Sequence, residues 1–438
     1  MNILQHTKTK SSAFLNYNHN GGVLSSEGGL LLIHDFLKSI QFDAALEKIR
    51  FHDERKFHLY TNGDLLKQLM YQIIAGYDTD ASANHLSQDK ACELYLGKPF
   101  ASQASLSRFW NRFTQNTIDD SNILLLELYH QVAKSQNLQQ MVIDLDSTHT
   151  LTFGNQEKSN YNTHYQQNGY HPLLAIEALT GMVLATQLRP GSEYTSNGVV
   201  ELLEPVLHRI EKDTTVLLRG DSGFAIPELY ETCEKQDIYY TIRLKRNNIL
   251  NQEYAQKYIE ENSHGDLFES EEFYYFIQYK AKSWDKKRTV AVRSYRQAGQ
   301  MFFDSSEFIV TNCNAYTPEE IFRLYRKRAD MENSIKELKL GFFYDKSDSQ
   351  AFIENAGRMM VSSLAYNIIT ALKNVYLTGS LKRAKINKLR LYLFKVAGKI
   401  INHARQIIIQ LSTVHVYQKH FNKTIKKIRS QQRLKIPI

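Results

Sequence analysis

Three short acidic segments hold the side chains whose types and spacing could carry chemistry. The first is residues 325–339, YRKRADMENSIKELK. An α-helix advances about 100° per residue, so with Tyr325 at zero Arg328 falls near ~300°, Lys339 near ~320° and Glu332 near ~340°. Leu324, Met331, Ile335 and Leu338 form an adjoining apolar stripe, while Asp330 and Glu337 fall on the far side and should face water. A carboxylate at the border of a buried face needs a cation. For Glu332 that is either Arg328, four residues back, or a metal ion. The other two segments are DLDST (144–148) and RGDSGF (219–224), each placed after a hydrophobic strand pattern. Strand ends in α/β sheets are rigid platforms for ligands. Alternation along a strand lets Asp144 and Asp146 share a face with Leu145 opposite, so spacing alone leaves two candidates there. Asp221 would also suit a plain Gly-Asp-Ser-Gly turn. Three carboxylates drawn to one place suit hard divalent cations. Two such ions about 3.5–4 Å apart can activate an attacking oxygen and stabilise a leaving one at a phosphodiester.

The spacing Tyr-x2-Arg-x3-Glu-x6-Lys, filled by Tyr325, Arg328, Glu332 and Lys339, resembles the signature of DDE insertion-sequence transposases. Between residues 142 and 250, the stretches DLDSTHT, GYHPLLAIEALTG, LRPGS, RGDSGF and IRLKRNN resemble one branch, the thirteen-eighty group. The resemblance runs from near residue 3 to about 416 and is weakest in residues 251–304 and at the extreme C-terminus. It implies that Asp146, Asp221 and Glu332 are catalytic and hold two magnesium ions, with manganese able to substitute. The family places its first ligand directly before a small residue and a Thr, which favours Asp146 and leaves Asp144 the weaker candidate. It also implies that Arg328 and Lys339 lie near DNA phosphates and Tyr325 beside the DNA end. The implied reaction is strand cleavage followed by strand transfer in a cut-and-paste pathway, through a DNA hairpin or by another cleavage route. Terminal repeats and target DNA are the implied partners, with a homodimer joining the two ends.

Trp284 lies at an expected hairpin tip among Lys282, Lys286, Lys287 and Arg288. An aromatic among cations suits stacking on an exposed base, and in related transposases an aromatic of this region holds a flipped base. The alternative is a ring packed on its own hairpin. Residues 102–113 (SQASLSRFWNRF) carry Arg108 and Arg112 one turn apart, in the manner of a DNA-recognition helix; ordinary surface charges are the alternative. His149, His164 and His171 lie close to the first aspartate without HExxH spacing. They read as polar core or DNA-contacting residues more readily than as a zinc site.

The elements that must position these groups are legible as patterns. Hydrophobic runs at 141–145, 171–178, 182–188, 215–218, 238–244 and 308–311 predict strands, with helices over 197–210 and 227–235. The order implies an α/β, RNase H-like mixed five-stranded sheet with flanking helices. Further strands at 273–282 and 288–295 predict a β-rich insertion. A long helix is expected from 318 to about 340, and another over 355–377. The resulting division is 1–135, a helical DNA-binding domain; 136–250 with 305–375, the catalytic domain; 251–304, the insertion; and 376–438, a basic helical C-terminal region.

The 438 residues are 42% hydrophobic and 23% charged, an ordinary globular balance. No apolar run approaches a membrane span, and three scattered cysteines form no CxxC pair, which suits a reducing cytoplasm and, in a bacterium, association with the nucleoid. Residues 381–438 hold 15 Lys and Arg and no Asp or Glu, so with a net charge of +8 the rest of the chain stands at −7. That asymmetry points to a polyanionic partner. Neither GxGxxG nor GxxxxGK[ST] occurs. An active transposase, a nuclease of the same fold and a non-catalytic DNA binder all fit the charge; the complete carboxylate set favours the first.

Overall fold

The computed structural model describes residues 7–8, 14–15, 17–250, 269–298, 305–404, 406–430 and 434. They fall into two compact units.

The larger unit, built from residues 48–53 and 110–375, contains in chain order α1 (Gln115–Ser135), β1 (Gln140–Ser147), β2 (Leu173–Glu177), β3 (Met182–Gln187), α2 (Val199–Leu207), β4 (Thr215–Gly220), α3 (Pro227–Lys235), β5 (Tyr239–Leu244), β6 (Glu271–Tyr279), β7 (Arg288–Arg296), β8 (Ser305–Thr311), α4 (Pro318–Arg326), α5 (Asp330–Phe342) and α6 (Phe352–Val375). The strands form one mixed sheet in the order β6-β7-β8-β5-β4-β1-β2-β3. β1, β4 and β5 are mutually parallel neighbours, and the remaining pairings are antiparallel. All five residues of β2 are buried, so the sheet is covered on both faces there.

Eight strands, rather than the expected five, share this sheet. The strands expected to form a separate insertion pair through β8 onto β5. An edge strand carries unpaired backbone groups that favour such an extension. The opposite edge, β3, is closed by side chains. Asn122 of α1 bonds the Thr186 N–H and carbonyl at 3.0 and 3.1 Å, and Asn367 of α6 bonds those of Val183 at 2.9 and 2.8 Å. Two side-chain amides, that of Asn367 fully buried, thereby do the work of a missing neighbour strand. Helix α1 accordingly belongs to this unit, whose edge lies near Trp110 rather than at the expected 135.

The smaller unit takes residues 17–47, 54–109 and 376–430. Its helix Asn62–Ala75 starts with a capping box between Thr61 and Asp64. At the other end the buried Arg390 donates to the carbonyls of Ile73 and Ile74 at 2.7 and 2.9 Å, satisfying groups the last turn leaves open. The C-terminal region is not wholly helical. Gly398–His403 and Gln406–Leu411 form an antiparallel pair that Leu24–Ser25 joins. The run Gln406–Leu411 (QIIIQL) is β-branched, which favours strand over helix. All three cysteines are buried free thiols. Among the described residues no helix is long and apolar enough to cross a membrane.

Candidate active site

Strand register positions the two aspartates. β1 and β4 run parallel with Asp144 opposite Arg219. Two residues further along, Asp146, still paired with Leu174 of β2, and Asp221, directly after β4, stand at the same level on neighbours roughly 4.8 Å apart. Asp144 itself is buried, and Arg219 takes both its oxygens, Nε to Oδ1 at 2.5 Å and Nη2 to Oδ2 at 2.7 Å. The third guanidinium nitrogen donates to the Leu324 carbonyl at 2.8 Å. Asp144 is therefore a clamp joining β1, β4 and α4, with both oxygens engaged by Arg219. Sequence reasoning passed over Arg219; the available signal was an arginine in an otherwise apolar strand, TVLLRG, where a buried charge demands a partner.

The expected long helix is broken. α4 ends at Arg326, a 3-10 turn covers Lys327–Ala329, and α5 begins at Asp330. A 3-10 turn advances about 120° per residue, so three residues shift the later phase by ~60°. Glu332 is exposed rather than bordering the core, and it lies in the first turn of α5, where the helix dipole favours a carboxylate. Glu337, expected in water, is instead part-buried, 3.9 Å from Lys373. Arg328, within the 3-10 turn, donates through Nη2 and Nε to the Leu145 carbonyl at 3.0 and 3.3 Å. The same Nη2 lies 3.1 Å from Asp146 and 3.9 Å from Asp221. Lys339 reaches back to the His149 carbonyl at 2.5 Å, which ties α5 to the segment after β1.

Asp146, Asp221 and Glu332 line one cavity of about 600 Å³ together with Arg328 and Lys245. Burial, with the nearby charges of Asp221 and Glu332, outweighs Arg328 and pushes the Asp146 carboxyl up to about 6. Around the same cavity, His171 bonds the Ser147 hydroxyl and the Glu193 carbonyl, both at 2.9 Å. Burial lowers the pKa of His171 and of His149. His149 stacks on Tyr165 at 4.9 Å. Among the described residues no three His, Cys, Asp or Glu side chains are grouped closely enough to hold a metal ion. The donor types suit a hard cation, all oxygen and all acidic; what fills the space between the aspartates is the Arg328 guanidinium. A second cavity of about 870 Å³ adjoins through Asp221, Arg328 and Lys245, and its walls add Arg243, Arg246, Arg293 and Tyr325. Part of that charge is balanced by Glu307, which takes Arg243 at 3.1 Å and Arg293 at 2.9 Å. IRLKRNN was notable in the sequence, but nothing there assigned roles to Arg243, Lys245 or Arg246.

Trp284 is not available for stacking. Only 6% of it is exposed, and it packs edge-on against Tyr230 and Tyr279 with ring centroids 5.4 and 5.3 Å apart. Two of the cations beside it are engaged as well: Arg288 and Lys286 bond Glu234 at 2.8 and 2.9 Å. A large apolar ring beside a hairpin gains more from its own core than from solvent. Arg108 is exposed on the helix Gln103–Trp110, but Arg112 lies past its end, so the two are not one helical turn apart.

Asp146 and Asp221 thus stand at the carboxyl ends of neighbouring parallel strands of a mixed α/β sheet, and Glu332 of a following helix lines the same cavity. The chain belongs to the family described as "Transposase DDE domain group 1", whose profile matches residues 7–433; it is a DNA transposase, a polynucleotidyl transferase of the DDE type. Enzymes of this class generally use divalent metal ions. Among solved structures, the chain is similar to a piggyBac transposase in a synaptic complex with hairpin DNA, at 11% identity and a TM-score of 0.46, over 84% of this chain and 80% of that one. No curated protein matches the chain significantly.

Proposed function

We propose that the chain mobilises an insertion sequence by cut-and-paste, with Asp146, Asp221 and Glu332 as the carboxylates that hold two magnesium ions, or manganese in their place. The observation carrying this reading is the matched register that brings Asp146, near the end of β1, and Asp221, just past β4, to one level on a cavity shared with Glu332. The order β5-β4-β1-β2-β3, with its three parallel and two antiparallel members, supports an RNase H-like core.

When bound, the ions activate the attacking oxygen and stabilise the leaving one. The chain's own residues do the rest. Asp144 and Arg219 fix the level at which the two aspartates emerge. Arg328 holds positive charge between them until metal and a DNA phosphate arrive, and then turns to that phosphate. Tyr325 stands beside the DNA end, and Lys339 holds the loop after β1 while offering its ammonium to the backbone. The basic wall of Arg243, Lys245 and Arg246 carries the strand leading to the cut. The N-terminal residues up to about 109, with Arg108, and the basic residues 376–438 bind DNA outside the cut site, and two copies assemble on the two ends of the element. The branch resemblance to the thirteen-eighty group fits this scheme, as does work at the bacterial nucleoid.

The test is cleavage of DNA carrying the element's own terminal repeats, in magnesium. Asp146→Ala, Asp221→Ala and Glu332→Ala should each abolish cutting while a gel shift still detects the complex. Cutting by Glu332→Ala refutes the assignment.

A further inference from the structure

We propose that the strand Gln406–Leu411 is a docking edge for a second copy of this chain, paired with it antiparallel about a two-fold axis at Ile408. The inference deepens the two-copy assembly proposed above by naming a surface for it. The strand is the outer member of the three-stranded sheet of the smaller unit, and among the described residues no strand pairs with its free side. Sheet edges are usually blunted by a charge, a proline, a bulge or a cover. The edge of the larger sheet follows that rule, since Asn122 and Asn367 cover β3. QIIIQL has neither charge nor proline, and its register with Gly398–His403 runs without a bulge. Ile407 and Ile408 are 56% and 38% exposed.

The strand is held firmly in its own unit. An added Cβ on Gly28 would lie 2.8 Å from the Leu411 side chain, and one on Gly398 would lie 3.1 Å from that of Ile409. The direction of its backbone groups follows from the ladder. The Ser412 N–H donates to the Ala397 carbonyl at 2.9 Å, while the Ile400 N–H turns the other way, to the Val23 carbonyl at 3.0 Å. Opposed residues in an antiparallel pair alternate between bonded and non-bonded. Gln406, Ile408 and Gln410 therefore bond inward, and Ile407 and Ile409 turn N–H and C=O to the open side.

The identity of the occupant follows from the sequence of the edge. QIIIQ (406–410) reads the same in both directions. A second copy centred on Ile408 sets Ile407 opposite Ile409 of that copy, and Ile409 opposite its Ile407, in two reciprocal pairs of hydrogen bonds. Gln406 meets Gln410 amide to amide, and the two Ile408 side chains meet on the axis. No like charges are opposed anywhere along the match. The pairing is isologous, so it closes after two copies and uses up both open edges. One strand pair is a small interface, which makes the dimer transient in free solution and favours it once two copies are held on one DNA.

The test is site-directed cross-linking of the full chain under mild oxidation, read on a non-reducing gel. All three native cysteines are buried, so they leave a low background. In the proposed register two copies of Ile408→Cys bring their Cα atoms to roughly 4.5 Å, within reach of a disulfide. Two copies of Gln410→Cys stand roughly 14 Å apart. Ile408→Cys should pass mostly into a disulfide-linked dimer while Gln410→Cys stays monomeric. In sedimentation, the wild-type dimer fraction should grow between about 1 and 100 µM, and Ile408→Lys, which sets two ammonium groups on the axis, should remain monomeric. Equal cross-linking at both positions, or none at 408, overturns the inference. Cleavage of terminal-repeat DNA by the wild type then still upholds the transposase reading, and loss of that cleavage sinks the reading whatever the gel shows.

Discussion

Burial and two neighbouring acids raise Asp146 to about 6, yet a metal ligand must be ionised. Protons and metal therefore compete for this carboxyl. Apparent affinity for magnesium should fall about tenfold per pH unit below 6 and level off above it, as a titration by isothermal calorimetry would record. The same shift sets a stability cost. Folded Asp146 titrates near 6 against a reference of 3.8, so its contribution favours folding below the unfolded value and is lost as pH rises through 6. Asp146→Asn, which keeps an acceptor for Arg328, should raise stability at pH 7.5 by up to ~3 kcal/mol and change little at pH 4; thermal melts at the two pH values decide it. Arg219 is the opposite case. Its removal leaves Asp144 charged and buried, so Arg219→Met should cost ~3–5 kcal/mol in urea denaturation. The site was half legible at this scale. Spacing drew attention to Glu332 and to the two aspartate segments, and the family resemblance chose Asp146 and Asp221 among them, whereas Arg219 and Arg189 act by burial, which single-residue patterns do not reveal.

The elements were read well wherever one periodicity ruled. The strands of the sheet fell near their predicted places because apolar runs of this length, bounded by Gly, Pro and polar turns, have no better partner than a buried sheet. The misreadings share a cause in tertiary context. The signature segment carries a continuous helical pattern, yet Arg328 is drawn to the Leu145 carbonyl and Asp146, and the backbone tightens to a 3-10 turn there. Trp284 was assigned by its cationic neighbours, although the aromatic wall that buries it comes from α3 and β6. Close contact beside α6 also sets a testable limit. A Cβ on Gly357 would lie 2.5 Å from the Phe113 ring, so Gly357→Ala should destabilise by ~1–3 kcal/mol through overpacking despite its better helix propensity, measurable from the shift in urea midpoint.

Across the whole chain, the charge asymmetry was plain in the sequence and its structural setting was not. The described basic residues of the C-terminal helix do not hang free. The helix Gln418–Ser430 buries Phe421 and Ile428, and its Arg429 meets Asp35 at 2.5 Å within the smaller unit. Removing residues 412–438 should therefore lower the melting temperature and open the smaller unit to proteolysis, in addition to weakening DNA binding and its salt dependence. The central claim, that three carboxylates hold the catalytic ions once DNA displaces Arg328, is tested most directly by manganese binding to the assembled protein–DNA complex, followed by electron paramagnetic resonance. Wild type should take up two ions per subunit with the coupled signal of a close pair, and Asp146→Asn, Asp221→Asn and Glu332→Gln should each lose that pair. A coupled pair that survives in the triple variant would contradict the account.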